Sequence, residues 1–284
     1  MPLDKEAIFR TKARLHDYIP IVGRGTIEAL YALAERLSGK TVVNVNSTFS
    51  GGGVAEILMR MVPLLNQLGV DTRWMVIKGN ESFFTVTKKF HNALHGKRED
   101  ITPEDYALFL EVSNKNMEEM QLTGDILFIH DPQPVVLIKK KGEIGEKWVW
   151  RCHIDVSNPD LDVWNFLYQY VVDYDATVFS APNFARKLPN RQFLIHPSID
   201  PLSDKNKDLP KETIEKVLDK YGLDMEKPII LQVSRFDYLK DPIGVITAFE
   251  MVRKNIPCQL VLAGGTATDD PESDKVLEEV KDRA

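Results

Sequence analysis

The sequence predicts an α/β fold: a Rossmann-like unit with a parallel sheet, followed by the beginning of a second unit of the same kind. Three observations point there. From residue 39 onward, short apolar runs alternate with amphipathic runs of helical period, the pattern of right-handed βαβ units with helices on both faces. A polar stretch, PLSDKNKDLPKET (201–213), interrupts the alternation once, as linkers do. The alternation then restarts at PIILQVS (228–234).

Taken in order, residues 1–38 form an N-terminal helical segment, with Ile27, Leu30, Leu33 and Leu37 at helical spacing. Residues 39–200 form the first unit. Its strands are TVVNVN (41–46), TRWMVI (72–77), DILFIH (125–130), WVWRCHI (148–154), ATVFSA (176–181) and RQFLIH (191–196). Helices are predicted over 54–68, 81–95, 103–121 and 159–172. Pro132, after the third strand, suits a first helical turn. Residues 201–227 form a linker and a helix at about 211–221. Residues 228–284 begin a second unit with strands 228–234 and 259–265 and helices 241–255 and 272–284. Two strands and two helices bury little apolar surface alone, so the expectation is that 228–284 is the truncated start of a longer domain.

Composition narrows the function. The 284 residues are 43% hydrophobic and 27% charged, with net charge −6, which gives no basic footprint for nucleic acid. No apolar run approaches the roughly 18 residues of a membrane span, and the first residues lack a secretory h-region. Cys152 and Cys258 both sit in apolar strand-like runs, as buried free thiols of a reducing compartment do. The expected location is the cytoplasm.

Four motifs carry chemistry. STFSGGG (47–53) lies between a strand and a helix. Its Ser50, Gly51, Gly52 and Gly53 would let a ligand approach the backbone, and the amides of Gly52, Gly53 and Val54 would favour an anion. A GxGxxG dinucleotide fingerprint would need glycine where Glu56 stands. The usual acid after the second strand is replaced by Lys78, and Asp71 precedes that strand. A nicotinamide enzyme is therefore disfavoured. The second motif, RFDYLK, puts Arg235 and Lys240 in a loop after a strand, where a fork and a point charge could grip a diphosphate. Third, His153 ends a strand in WRCHID, where it could bond a sugar hydroxyl, and Asp155 could orient it or contact substrate. Fourth, HDPQP (130–134) offers Asp131, with His130 and Gln133 less certain. Taken singly, each has a plain alternative: a tight turn, two solvated cations, a structural histidine, a helix cap.

Two stretches mislead. DYD (173–175) looks like a metal-binding DxD but precedes a strand, away from the ligand end of an α/β sheet. TDDPE (268–272) reads as a loop entering a helix. No zinc spacing and no GxSxG occurs.

Together, VNSTFSGGGVAEIL, FHNAL, HDPQP, WRCHID, PSIDPLS and EKPIILQVSRFD resemble the retaining GT-B glycosyltransferases, and among them the archaeal trehalose glycosyltransferring synthases and related phosphorylases. The likeness runs over most of 40–284. It implies a GT-B architecture and transfer of glucose from ADP- or UDP-glucose to glucose, with retention. It implies that Gly52 and Gly53 lie near the donor phosphates and that Arg235 and Lys240 neutralise the leaving diphosphate. It further implies that His153 contacts the transferred glucose and that Asp131 positions donor or acceptor sugar. No cofactor is implied beyond the nucleotide-sugar substrate; Mg2+ is compatible but not implied, and the partners are small-molecule sugars, with room for a homodimer. Two departures stand out. The family's acidic E-x7-E motif falls beyond residue 284, and the family's glycine after the phosphate-binding lysine is Asp241 here. A phosphorylase of the same fold and a non-catalytic sugar- or partner-binding fragment are the alternative readings.

Overall fold

The computed structural model describes residues 13–144, 147–265 and 272–283. Of the TDDPE loop only Glu272 is among them, and residues 1–12 of the N-terminal segment lie outside them. The chain divides into two compact units, one up to Ile199 and one from Asp200. Among the described residues, no helix is long and apolar enough to cross a membrane.

The first unit runs α1 (Ile19–Val22), α2 (Arg24–Glu35), β1 (Thr41–Asn46), α3 (Gly53–Gln67), β2 (Asp71–Val76), α4 (Glu81–Leu94) and α5 (Pro103–Glu119). It continues with β3 (Ile126–His130), a 3-10 stretch over Val135–Gly142, β4 (Lys147–Arg151), α6 (Leu161–Val171), β5 (Ala176–Phe179) and β6 (Arg191–Leu194). The six strands are all parallel, in the order β2-β1-β3-β4-β5-β6. Helix starts are set locally. Thr102, the N-cap, and Asp105 in the first turn form a reciprocal capping box at the start of α5, and Asn80 and Asp160 cap α4 and α6 through their side chains.

Alternation along β1 shows that both faces are covered. Val43 and Val45 join the main core with Phe83, Phe90 and Phe109 of α4 and α5. Val42, one residue out of phase, packs instead with Ala34 of α2 and Leu65 of α3. Trp148 and Trp150 of β4 are fully buried in the main core. Each such side chain contributes about 1.5–3 kcal/mol or more by leaving water.

The second unit contains α7 (Lys211–Lys220), β7 (Ile229–Val233), α8 (Pro242–Val252), β8 (Gln259–Ala263) and α9 (Ser273–Arg283). β7 and β8 pair in parallel. Ile229, Leu231 and Val233 of β7 are exposed, Val233 by 73%, as expected of so small a sheet.

Several expectations are corrected. β4 stops at Arg151 rather than 154, because the His153 amide leaves the sheet ladder to donate to Asp131 Oδ1. No helix starts at Pro132; the 3-10 stretch begins at Val135 because Asp131 is left-handed, with φ 64°. On α2, Ile27 is buried but Leu30 and Leu33 face solvent. Cys152 is buried, whereas Cys258 is only half-buried. In the DYD stretch, Asp175 accepts the Trp148 amide at 2.8 Å and pairs with Lys141 at 3.1 Å, which ties β4 to β5.

Candidate active site

The strand order reverses direction between β1 and β3: β2 lies outside β1 on one side, and β3 onward extends the other way. In open α/β sheets that point opens a crevice beyond the carboxyl ends of the two strands. STFSGGG leaves β1 there and HDPQP leaves β3 there.

The glycine loop is braced rather than loose. Asn46 Nδ2 donates to the Thr48 carbonyl at 2.8 Å. Thr48 Oγ1 accepts the Ser50 amide at 3.1 Å and donates to the Ser50 carbonyl at 2.8 Å. Gly51 and Gly52 both hold positive φ, 78° and 80°, which side chains resist by about 1–2 kcal/mol. Gly52 is the N-cap of α3 and supplies no side-chain cap. The first-turn amides are therefore those of Gly53, Val54 and Ala55, one residue later than the sequence suggested. A Cβ on Gly53 would meet nothing within 4 Å. This is an anion-suited helix start with an open approach.

At the ends of β3 and β4, Asp131, Trp150, His153 and His130 interlock with one another and with Asn44 of β1. Asp131 Oδ1 accepts the His153 backbone N–H at 2.7 Å, and the Asp131 carbonyl accepts Trp150 Nε1 at 2.9 Å. These bonds, with the Asp131 amide donating to the Arg151 carbonyl, hold Asp131 in its left-handed conformation. His153 Nε2 lies 3.1 Å from His130 Nδ1, and His130 Nε2 lies 3.1 Å from Asn44 Oδ1. His130 and Asn44 are buried. Burial first, and the Arg151 charge second, depress the His153 pKa to about 3. Burial, then His153 and Arg151, hold His130 well below the ordinary histidine value. Both rings are neutral near pH 7. Arg151 itself is buried and donates to the Phe179 and Ile195 carbonyls and Ser180 Oγ.

The other site predictions divide. Gln133 follows Asp131 by two residues in the chain, and its buried Oε1 has no hydrogen-bond partner among the described residues. Asp155 does not orient His153: its Oδ1 accepts the Ser157 amide at 2.9 Å in a local turn, and His130 holds the ring instead. Asp131 does not cap a helix; its carboxylate is turned to His153. Asn44, Asn46 and Arg151 escaped sequence reasoning. The signal was present: two asparagines alternate with valine in the second half of β1, TVVNVN.

In the second unit, Arg235 follows β7 and pairs with the buried Asp237 at 3.3 Å. Lys240 ends a 3-10 turn, Tyr238–Lys240. Among the described residues its ammonium makes no ion pair. Asp241 does not oppose that charge by direct pairing. It takes the left-handed conformation, φ 48°, and its Oδ1 accepts the Gly244 amide at 3.0 Å, capping α8. A glycine would suit that φ, and the aspartate adds a cap.

Residues 44–186 match the family model for the trehalose synthase N-terminal domain. The chain belongs to that family. This family member is 47% identical over 264 residues to the trehalose synthase of Thermococcus litoralis, covering 91% of this chain and 64% of that protein. To the Rubrobacter xylanophilus trehalose synthase it is 43% identical over 267 residues, with the same coverage of 91% and 64%. To the trehalose phosphorylase of Pleurotus pulmonarius it is 26% identical over 320 residues, covering 94% of this chain and 42% of that protein. The chain thus spans less than two thirds of the length of these curated relatives. Among solved structures it resembles a trehalose-6-phosphate synthase, with TM-score 0.65, 15% identity, and 86% and 69% of the two chains covered. A Burkholderia xenovorans trehalose-phosphate synthase solved with glucose-6-phosphate gives TM-score 0.61 at 12% identity, covering 86% and 70%. At such identities the likeness shows the fold alone, and that fold is of the expected GT-B type.

Proposed function

We propose that this chain serves a retaining hexosyl transfer, in which glucose passes from ADP- or UDP-glucose to free glucose to give trehalose. The observation that carries the reading is the Asp131–His153–His130 cluster beside the glycine loop at the strand-order reversal, in a chain 47% identical to proteins named trehalose synthase. In this transfer the bond from the glucosyl anomeric carbon to the diphosphate oxygen breaks. A bond to the acceptor hydroxyl oxygen forms on the same face, and the hydroxyl proton passes to the departing phosphate. The leaving nucleoside diphosphate gathers negative charge. Arg235 and Lys240 of the second unit are cations suited to it; the first-turn amides of Gly53, Val54 and Ala55 in the first unit are, taken by themselves, dipoles suited to an anion. Asp131 and His153 are suited to sugar hydroxyls, and Gln133 Oε1, in the same loop as Asp131, is a further acceptor.

Calorimetric titration of the 284-residue chain with ADP-glucose, UDP-glucose, glucose and trehalose, with and without Mg2+, tests the proposal. Saturable nucleotide-sugar binding supports it. Heat with glucose or trehalose alone supports only the sugar half. No heat with any ligand favours a non-catalytic fragment. The second reading, a trehalose phosphorylase, is favoured by the 26% identity to such enzymes over 94% of this chain; competition by inorganic phosphate but not by ADP or UDP would select it.

A further inference from the structure

The His153 ring is wired to a buried asparagine through a second histidine, and that wiring has a direction. Asn44 Nδ2 is 3.5 Å from the Arg73 carbonyl, and Oδ1 is 3.1 Å from His130 Nε2. Turning the amide over would set its oxygen against the Arg73 carbonyl, two acceptors facing each other, so the amide orientation follows from its partners. An amide oxygen only accepts, so His130 carries its proton on Nε2. A neutral imidazole then has a bare lone pair on Nδ1. The 3.1 Å contact from that atom to His153 Nε2 is a hydrogen bond only if His153 donates. His153 is thus protonated at Nε2 and bare at Nδ1. No described residue bonds that last nitrogen.

We propose that His130 and Asn44 are positioning residues that hold His153 as its Nε2–H tautomer, so that Nδ1 presents a neutral acceptor to a substrate hydroxyl. The hydroxyl rests on the sugar reading above; the tautomer does not. Without a partner, an imidazole samples both tautomers and would offer a donor part of the time. Locked, it accepts a sugar hydroxyl hydrogen and sets a lone pair against any anion. The low basicity of both rings keeps the relay neutral.

The test is two-bond proton–nitrogen correlation spectroscopy on the histidine-15N-labelled chain at pH 7, its six histidines assigned with His130→Gln and His153→Gln. The expected result is the Nε2–H pattern for both His130 and His153. A proton on His153 Nδ1, an averaged pattern, or a cationic ring overturns the proposal. His130→Leu is expected to release His153 to an averaged pattern and to weaken glucose binding about tenfold, the scale of one neutral hydrogen bond. His130→Gln, whose amide can accept from His153 and donate to Asn44, is expected to restore both. An unchanged Nε2–H pattern in His130→Leu would overturn the positioning role. Should that variant not fold, His130→Gln decides: Nε2–H retained supports the relay, and Nε2–H lost overturns it. If the wild-type tautomer is as expected but its His153 Nδ1 signal ignores saturating glucose and trehalose, the sugar reading fails while the tautomer assignment stands.

Discussion

Asp131 Oδ1 accepts the backbone N–H of His153 at 2.7 Å, and it does so from a left-handed backbone, φ 64°. Aspartate is one of the few residues that tolerate this region, because its short polar side chain bonds locally. The bond ends β4 and fixes where the next residues go.

This relationship separates three substitutions. Asp131→Asn keeps an acceptor and tolerates the conformation, so it should fold with near wild-type stability. Asp131→Gly loses the bond but not the conformation, and should cost about 1 kcal/mol. Asp131→Ala loses the bond and pays left-handed strain, about 2–3 kcal/mol in all. Urea denaturation ranks them, and an alanine variant as stable as the asparagine one would count against the account.

The glycine loop makes a paired prediction. Gly52 holds φ 80°, and Gly53 does not hold a positive φ. Gly52→Ala should lower stability by about 1–2 kcal/mol through strain alone. Gly53→Ala has room for its methyl and should be neutral or stabilising by up to about 1 kcal/mol. If phosphates approach this backbone, Gly53→Ala will still weaken nucleotide-sugar binding. Thermal melts and calorimetry, run together, read both halves.

Arg235→Ala should weaken ADP or UDP binding by about 1.5–3 kcal/mol, the scale of a lost charge-assisted bond. It also leaves Asp237, 1% exposed, without the guanidinium, so some stability is lost with it. Adding Asp237→Asn should recover stability without recovering affinity. Undiminished nucleotide affinity in Arg235→Ala would sink the diphosphate role.

Stability should fall below neutral pH. Burial, and then the Arg151 charge, push the His153 pKa down to about 3 in the folded chain, from an ordinary value of about 6.5, and His130 is depressed as well. A folded pKa below the unfolded one means that the unfolded chain binds more protons. Stability is then fully present above about pH 6.5 and drains as pH falls toward 3, by up to about 1.4 kcal/mol per pH unit for each histidine. Denaturant midpoints at pH 7.5, 6.5 and 5.5 measure the slope. His130→Gln should make it shallower, and an identical slope would show that His130 is not held neutral.

Local pattern determined a great deal. The order of strands and helices in both units follows from apolar period alone, because burial period is a property of neighbours in the chain. The placement of STFSGGG, HDPQP and RFDYLK after strands follows in the same way, and those loops stand at carboxyl strand ends. The tertiary structure decided the rest. Asn44 and His130 are 86 residues apart and meet only because β3 lies beside β1. Asp155 is two residues from His153 and does not bond it, while Asp131, 22 residues away, does. Asp241 stands next to Lys240, yet its carboxylate turns to the α8 amide. Sequence names the groups able to bond; strand pairing and helix ends fix which of them come within hydrogen-bond distance, about 2.7–3.2 Å, and the interaction weakens beyond that reach.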